Sequence, residues 1–480
     1  MKKGSIKKSF LYNMTYQVVK IITPLITMPY LSRVLGADQL GIYSYTYSVA
    51  SYFVMFAVLG MSTYGVRLIA QAQGDRTKRS SLFWAAYLSE VAVSVLTTVA
   101  YIVYATVVST QNKVAILWVF WVMSCMLDIS WLYFGVEDFK RTTIRSLLVK
   151  ILDLTLIFLL VKSDNDLWLY VLIESLNYLL SQIILWPFLR EYVDWYIPKI
   201  GEVISHLRPS LVLFIPVIAI SLYTTMNRVL LGNLSTLEQT AYYDYASRMC
   251  TIPGAIVTAF GTVMLPRMSS EFALGKKNGA LRLIQLSTWA MLLGAFALSF
   301  GIVGIADEFV PIFFGKGFDG VTKPLLIICW EIPIICCSNV IGRQFLLPNN
   351  RDRDYTISVC CGAVTNIIAC LLLIPSLGAV GAAIGTLIAE FTVLAVQMIA
   401  TYEALPFVGY ASRSIPFMLI GAVMALTMRT AAPLLQGFFG SSALLLLLEF
   451  AVGAVVYTVL TLIYCIISKS SEYSRLFNRN

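Results

Sequence analysis

Charge is what this sequence has least of. Asp, Glu, Lys and Arg make up 13% of 480 residues against 58% hydrophobic, and the mean hydropathy is +0.78. A soluble domain carries about twice that share of charge, so the composition describes a polytopic membrane protein. Histidine is nearly missing as well. His206 stands alone, which excludes a histidine-based metal cluster and a Ser-His triad. No GxxxxGK[ST] stretch is present, so transport or synthesis powered by ATP on this chain is excluded. All nine cysteines fall in apolar runs, including the neighbours Cys336-Cys337 and Cys360-Cys361. That excludes a secreted disulfide framework and leaves small buried residues. Long polar loops are scarce too: the longest expected outer segment is 307–321, too short for the external catalytic loop of a membrane polymerase or glycosyltransferase. The chain therefore reads as a non-enzyme that needs no cofactor. The 35 Lys and Arg against 26 Asp and Glu give a formal +9. In a soluble chain this would suggest a nucleic-acid partner; here the charges fall in alternate loops, and no nucleic acid is expected.

What is present is a series of apolar runs. Crossing ~30 Å of hydrocarbon takes about 20 residues, and such runs lie near 10–34, 41–64, 82–108, 114–135, 147–162, 167–189, 211–232, 240–266, 281–306, 322–347, 356–374, 379–402, 414–433 and 442–468. These predict an all-α integral membrane protein with fourteen spans. The opening MKKGSIKKSF precedes a run that contains Lys20 and lacks a small-residue cleavage site, so it is a retained first helix rather than a signal peptide. With the N-terminus inside, the inner segments carry 24 basic residues and the outer loops four. The positive-inside rule thus places both termini in the cytoplasm.

The chain also repeats itself. Arg33-Val34-Leu35-Gly36 followed by Gly41-Ile42-Tyr43-Ser44-Tyr45 parallels Arg228-Val229-Leu230-Leu231-Gly232 followed by Ala241-Tyr242-Tyr243-Asp244-Tyr245, and Gly60 to Arg67 parallels Gly261 to Arg267. The loop within the second copy is five residues longer. The repeat separates spans one and two from seven and eight, which implies two pseudo-symmetric six-helix lobes related by an axis along the membrane normal. The expected division is a first lobe at 1–189, a linker at 190–210, a second lobe at 211–402 and two additional helices with a tail at 403–480. Trp195, Tyr196 and Ile197 beside Arg and Lys suit either a linker lying on the membrane surface or a plain connection.

Several stretches resemble the bacterial polysaccharide and oligosaccharide flippases of the multidrug/oligosaccharidyl-lipid/polysaccharide exporter superfamily. They are PYLSRVLGADQLGIYSYTYSVASYF, LGMSTYGVR and NRVLLG with AYYDYASRMCTIPGAIVTAFGTVMLPRMS. Members often carry Asp-Lys or Asp-Arg where this chain has Asn227-Arg228, and Gly-Tyr-Tyr where it has Ala241-Tyr242-Tyr243. The resemblance implies transport of a polyprenyl-diphosphate-linked oligosaccharide from the inner to the outer leaflet of the bacterial cell membrane. A cation-coupled multidrug exporter and a peptidoglycan-precursor flippase of the same superfamily remain alternatives, with a membrane glycan polymerase further off. Expected partners are the lipid-linked oligosaccharide, membrane lipids, H+ or Na+ as coupling ion, and glycan polymerase or assembly proteins.

Ionisable residues inside the spans cost about 2.5–3.5 kcal/mol each on insertion scales unless they face a cavity or a partner, so they mark candidate sites. The basic ones are Lys20, Arg33, Lys150, Arg228, Arg248, Arg343 and Arg429, and the acidic ones are Glu90, Asp128, Asp153, Glu174, Asp244, Glu331, Glu390 and Glu449. Lys20, Arg33, Arg228 and Arg248 are the candidates for a diphosphate and sugar cavity. Lys20 sits mid-helix, and Arg33 and Arg228 occupy matched repeat positions. Arg33, Arg228 and Arg429 also lie near helix ends, where headgroup contact is the alternative. Asp244 with Arg248 and Lys150 with Asp153 have the spacing of neutralising pairs on one helix face. Glu390, Asp244 and Asp128 are the candidates for ion coupling. Pro24, Pro29 and Pro216 fall in matching parts of the two lobes, where a missing backbone bond permits a hinge. Gly378, Gly381 and Gly385 suit close helix packing.

Overall fold

The computed structural model describes residues 3–72, 74–274, 277–440 and 442–467, and among them all regular structure is helical. This is what apolar runs must do in lipid, where each backbone N–H and C=O has to be satisfied within its own segment. Two compact units result, Met1–Ser221 and Leu222–Asn480.

The first unit contains α1 (Lys3–Val58), α2 (Met61–Ala70), α3 (Arg76–Val103), α4 (Asn112–Ala115), α5 (Val119–Ser124), α6 (Ser130–Gly135), α7 (Phe139–Leu160), α8 (Leu167–Ile183), α9 (Ile200–Ser205) and most of α10 (Leu207–Thr224). The second holds α11 (Met226–Leu234), α12 (Leu237–Ala273), α13 (Lys277–Phe314), α14 (Thr322–Ile328), α15 (Glu331–Asn339), α16 (Asp352–Leu377), α17 (Ala379–Thr401), α18 (Phe407–Phe439) and α19 (Ala443–Ile467). Each of the fourteen expected stretches coincides with helical backbone, some of it broken into short pieces. By length and hydropathy, nine helices among the described residues are able to cross a membrane, or ten if the bent pair 200–215 and 220–234 is one span. One of the nine, Ile22–Ala70, holds two of the expected stretches, and α7 with its charged first half is not among them.

The breaks have local causes. Within α1 the backbone leaves the helical region at Gly36 (φ 75°, ψ 172°), a conformation glycine adopts without a Cβ penalty, and this point falls in the gap between 34 and 41. The helix ends at Leu59 and Gly60, both with positive φ. A Cβ on Gly60 would stand 2.8 Å from the Ser210 carbonyl oxygen, while the Ser210 hydroxyl donates to the Leu59 carbonyl. Asp75 and Thr236 cap α3 and α12 by accepting backbone N–H groups at 2.9 and 3.3 Å, as side chains of this type do at an N-cap.

The core of the first unit gathers Phe83, Trp131, Leu132 and Tyr133, all 1% exposed or less. Here Gly65 lies under the Trp131 ring and Gly135 against Ile69, so close that a Cβ at either would overlap its neighbour at 2.6 Å. Past α8 the chain is tied down by Arg76, whose Nε and Nη2 reach the Asp194 carboxylate at 2.9 and 2.8 Å. Trp84 Nε1 donates to the Asp194 carbonyl at 2.9 Å and Arg79 Nε to that of Tyr192 at 2.9 Å. The hydrogen bond from Arg76 holds the Asp194 carboxyl below the usual carboxylate range. Beyond this clasp Trp195 and Ile197 are exposed.

Among the described residues the second unit has two core clusters. One is centred on Met291, Ile332, Cys336 and Leu346. The other, around Phe300, Met424, Met428 and Tyr457, fastens α18 and α19 to α13. α16 and α17 pack backbone to backbone, since a Cβ on Gly385 would meet Cys370 Sγ at 2.6 Å and one on Gly381 the Leu373 carbonyl at 2.5 Å. Close approach of this kind is how helices associate where burial of apolar surface gives no driving force.

Candidate substrate site

In the second unit the turn between α11 and α12 folds Arg228 back onto the helix that carries Asp244 and Arg248. Arg228 Nε lies 2.6 Å from Asp244 Oδ1, a charge-to-charge contact rather than an aligned hydrogen bond. Arg248 Nε donates to Asp244 Oδ2 at 2.9 Å from one turn further along the same helix. The Asp244 side chain is fully buried, whereas Arg228 is 16% and Arg248 33% exposed. One buried carboxylate thus faces two guanidiniums, and both guanidiniums are partly exposed. Planar guanidiniums suit bidentate bonds to phosphate oxygens.

A neutral polar nest adjoins this triad. Asn227 Nδ2 donates to the Tyr243 hydroxyl and to Thr386 Oγ1, each at 2.9 Å. The Cys370 thiol approaches Asn227 Oδ1 at 3.4 Å, and the hydroxyls of Tyr243 and Thr386 are 2.8 Å apart. Neither Asn227, Tyr243 nor Thr386 was a sequence candidate; an amide beside an intramembrane Arg and a tyrosine at a repeat position were the signals. Glu390, 8% exposed, lies one turn along α17 from Thr386 and close enough to Glu331 to interact with it.

The first unit holds a second polar group. Lys150 Nζ donates to Asp153 Oδ2 at 2.7 Å and lies 3.9 Å from Glu174 Oε1, and Asn177 Nδ2 donates to Asp153 Oδ1 at 2.7 Å. The expected pairing of Lys150 with Asp153 is therefore joined by two residues of α8. Elsewhere Trp131 Nε1 donates to Glu90 Oε2 at 2.9 Å.

The remaining candidates are distributed as follows. Arg33 is exposed and donates to the Pro29 carbonyl at 2.6 Å, one turn back along α1. Asp128 Oδ1 accepts the Ser130 backbone N–H at 2.8 Å at the start of α6. Pro24 and Pro29 lie within continuous helix, and the break in α1 comes later, at Gly36. The side chains of Lys20 and Pro216 lie outside the described residues. Arg429 is bonded to protein on α13, with Nε donating to the Val303 carbonyl at 3.0 Å and Nη2 3.3 Å from Asp307. Among the described residues no group of three His, Cys, Asp or Glu could hold a metal ion.

Helical units built around intramembrane charge are matched by a family model described as polysaccharide biosynthesis protein, over residues 6–272 and so over more than half the chain. The chain belongs to this family. It is a polysaccharide flippase branch member of the exporter superfamily and a transporter rather than a catalytic enzyme. The family model of the lipid II flippase MurJ also matches, over 168–450. A protein of Escherichia coli (strain K12) named as an O-antigen transporter is 27% identical over 413 residues, covering 85% of this chain and 97% of that protein. A protein of Haloferax volcanii named as a low-salt glycan biosynthesis flippase is 26% identical over half of each chain. The fold is similar to that of lipid II flippase MurJ in its inward closed conformation, with a TM-score of 0.78, 13% identity, and coverage of 96% of this chain and 100% of that one. An inward-facing multidrug resistance transporter of the MATE family aligns with a TM-score of 0.59 at 13% identity, over 85% of this chain and 99% of its own.

Proposed function

We propose that this flippase carries a polyprenyl-diphosphate-linked oligosaccharide from the inner to the outer leaflet of the bacterial cell membrane. The observation that carries the reading is the triad of Arg228, Asp244 and Arg248, two partly exposed guanidiniums on one fully buried carboxylate. A diphosphate brings negative charge that hydrocarbon does not tolerate. A pair of guanidiniums inside an apolar unit offers charge-assisted hydrogen bonds in exchange, and the same positive charge opposes an organic cation, which disfavours a multidrug substrate. The names of the O-antigen and glycan relatives support a glycan cargo. The matching MurJ family model favours a peptidoglycan precursor as the second reading; it too is a polyprenyl diphosphate, so the triad serves either.

On this reading twelve of fourteen spans form two six-helix lobes, 1–189 and 211–402, which alternate access to a central cavity, with two additional helices at 403–480 and both termini in the cytoplasm. Lys20 and Arg33 are proposed to add cationic contacts from the first lobe. Glu390, buried beside Glu331, is the proposed group through which H+ or Na+ drives the cycle, and polymerase or assembly proteins are the proposed recipients of the cargo.

The test is charge replacement in cells that depend on this chain for surface glycan. Lys20→Met and Arg228→Gln are expected to abolish export at normal protein abundance. Lys20→Arg and Arg228→Lys are expected to retain part of it, with Arg228→Lys the weaker because an ammonium cannot form the bidentate contact. Near-normal export from both neutral variants refutes the cationic site.

A further inference from the structure

Glu90 is a buried carboxyl that the diphosphate reading does not use. It lies on α3, 2% exposed, in the core of the first unit. Oε2 accepts the Trp131 indole N–H at 2.9 Å, while Oε1, also buried, meets no hydrogen-bond partner among the described residues. The titratable groups close enough to interact with Glu90 are Asp128 and Cys125 at the junction of α5 and α6, and Tyr87 one turn back on α3. None of them is basic, and no other element packed on α3 adds one among the described residues. An isolated charge in such a place is neutralised rather than kept. A metal cation needs a shell of several oxygens, and those nearby are engaged. Tyr87 Oη donates to the Met126 carbonyl at 2.9 Å, Trp186 Nε1 to that of Leu127 at 3.0 Å, and Asp128 Oδ1 accepts the Ser130 N–H at 2.8 Å. A proton needs one oxygen, and Oε1 supplies it.

Glu90 also spans a break in the chain. α1 gives way to α2 at Leu59 and Gly60, both with positive φ. On the near side of this break, Ser94 Oγ of α3 donates to the Ala57 carbonyl at 3.1 Å. On the far side, the Trp131 ring sits so close over Gly65 of α2 that a Cβ there would lie 2.6 Å away. α3 thus holds the end of α1 through Ser94 and, one turn earlier, reaches α2 through Glu90 and Trp131. Trp131 belongs to α6, which begins just after Asp128 leaves the helical region (φ −73°, ψ 112°). Both α2 and α6 are short helices that start at non-helical backbone, and the Gly65 contact ties them to each other.

We propose that Glu90 is a proton-binding site of the first unit, and that its occupancy sets the angle of α2 and α6 against α3 through the hydrogen bond to Trp131. This rests on the flippase reading for the cycle it serves and deepens it, giving the first unit a titrating carboxyl separate from the Glu390 proposed in the second. As a carboxylate, Glu90 is a strong acceptor for the indole N–H. When a proton from water binds Oε1, Oε2 becomes the carbonyl oxygen of a neutral acid and the bond to Trp131 weakens. Release of the proton restores it, and no other bond is made or broken.

The experiment uses the full-length protein in lipid nanodiscs and needs no substrate. Infrared difference spectra between acid and alkaline baths read protonation. Spin labels at Arg67→Cys on α2 and Val99→Cys on α3, both exposed positions, read the angle in a background without native cysteines. The otherwise unaltered protein is expected to show a carboxylic-acid C=O band that is lost in alkali, and a shift in label distance over the same pH range. Glu90→Gln, which keeps an acceptor for Trp131, should lack that band and the distance shift, whereas Glu390→Gln should keep both. Trp131→Phe, which keeps a ring over Gly65, should move the band to higher frequency, as for a carbonyl without a donor, and abolish the shift. A difference spectrum unchanged by Glu90→Gln overturns the proton site. A label distance that ignores pH, or that shifts equally in Trp131→Phe, overturns the coupling to α2. Transport is read separately in liposomes: failure to move the lipid by a protein that gives these spectra overturns the flippase reading and leaves the proton site standing.

Discussion

Asp244→Asn tests how the second unit manages its charge. Asp244 is fully buried, and each of its oxygens faces a guanidinium, Arg228 at 2.6 Å and Arg248 at 2.9 Å. Asparagine keeps the volume and removes the charge that both guanidiniums face. Removing one member of a buried ion pair costs about 3–5 kcal/mol. Arg248, with 33% of its side chain exposed, is able to swing outward and relieve part of this, whereas Arg228, 16% exposed, has less room, so the loss is expected at the lower end. At about 2–4 °C per kcal/mol for a unit of this size, thermal unfolding should fall by on the order of 10 °C. Adding Arg228→Gln removes one of these guanidiniums and should recover at least about 1 kcal/mol relative to the sum of the single effects, as coupled neighbours do. Unfolding is followed in one fixed detergent, in a background whose other eight cysteines are replaced, through the reaction of a thiol dye with Cys250, which is buried in the same helix six residues on. A midpoint for Asp244→Asn within about 2 °C of the unaltered protein, or strict additivity in the double variant, refutes the charge-sharing triad.

Three further outcomes follow from other parts of the molecule. Cysteine at position 78 or 316, in a background without native cysteines, should react with an impermeant thiol reagent in intact cells only at 316, and equal labelling of both contradicts the proposed orientation. Gly378→Ala forces a Cβ to 2.7 Å from Gln239 Oε1 at a φ of 55°, a conformation costing about 1–3 kcal/mol for other residues; a thermal midpoint unchanged from that of the parent protein shows that the α16–α17 turn is not constrained. Because Arg76 lowers the Asp194 carboxyl, the stabilisation from this pair is fully present above the ordinary carboxylate range and is lost as pH falls through the lowered value. Amide exchange in 190–196, corrected for intrinsic rates, should therefore quicken on acidification in the parent protein and not in Asp194→Asn, and the same acid response in both removes the clasp.

Much of the fold was legible because hydrocarbon leaves the backbone few options: a long apolar run has to be helical, and the gap between 34 and 41 falls at Gly36, where the helix in fact breaks. Span count was less legible. Charges crowd the first half of α7, so hydropathy undervalues a helix whose Lys150 and Asp153 neutralise each other within the fold. At the site, the pair Asp244 and Arg248 could be read from helical spacing, but Arg228 could not, since it reaches Asp244 only across the turn at 235 and 236. Asn177 went unnoticed for a related reason: an amide in an apolar run carries no charge signal, and its importance lies in the partner, Asp153, that folding brings to it. Arg429 had been compatible with headgroup contact, yet Val303 and Asp307 on a neighbouring helix engage it.

Transbilayer movement is the most direct test of the central claim. Purified protein is reconstituted into sealed liposomes containing the lipid-linked oligosaccharide, and a glycan-cleaving enzyme that cannot cross the membrane is added outside. Without protein the enzyme reaches only the outer-leaflet share. With the parent protein the account predicts that cleavage proceeds to near completion, and that Arg228→Gln returns it to the protein-free level. Cleavage that halts at the outer-leaflet share in the presence of correctly folded parent protein, under an imposed proton or sodium gradient of either sign, would contradict it.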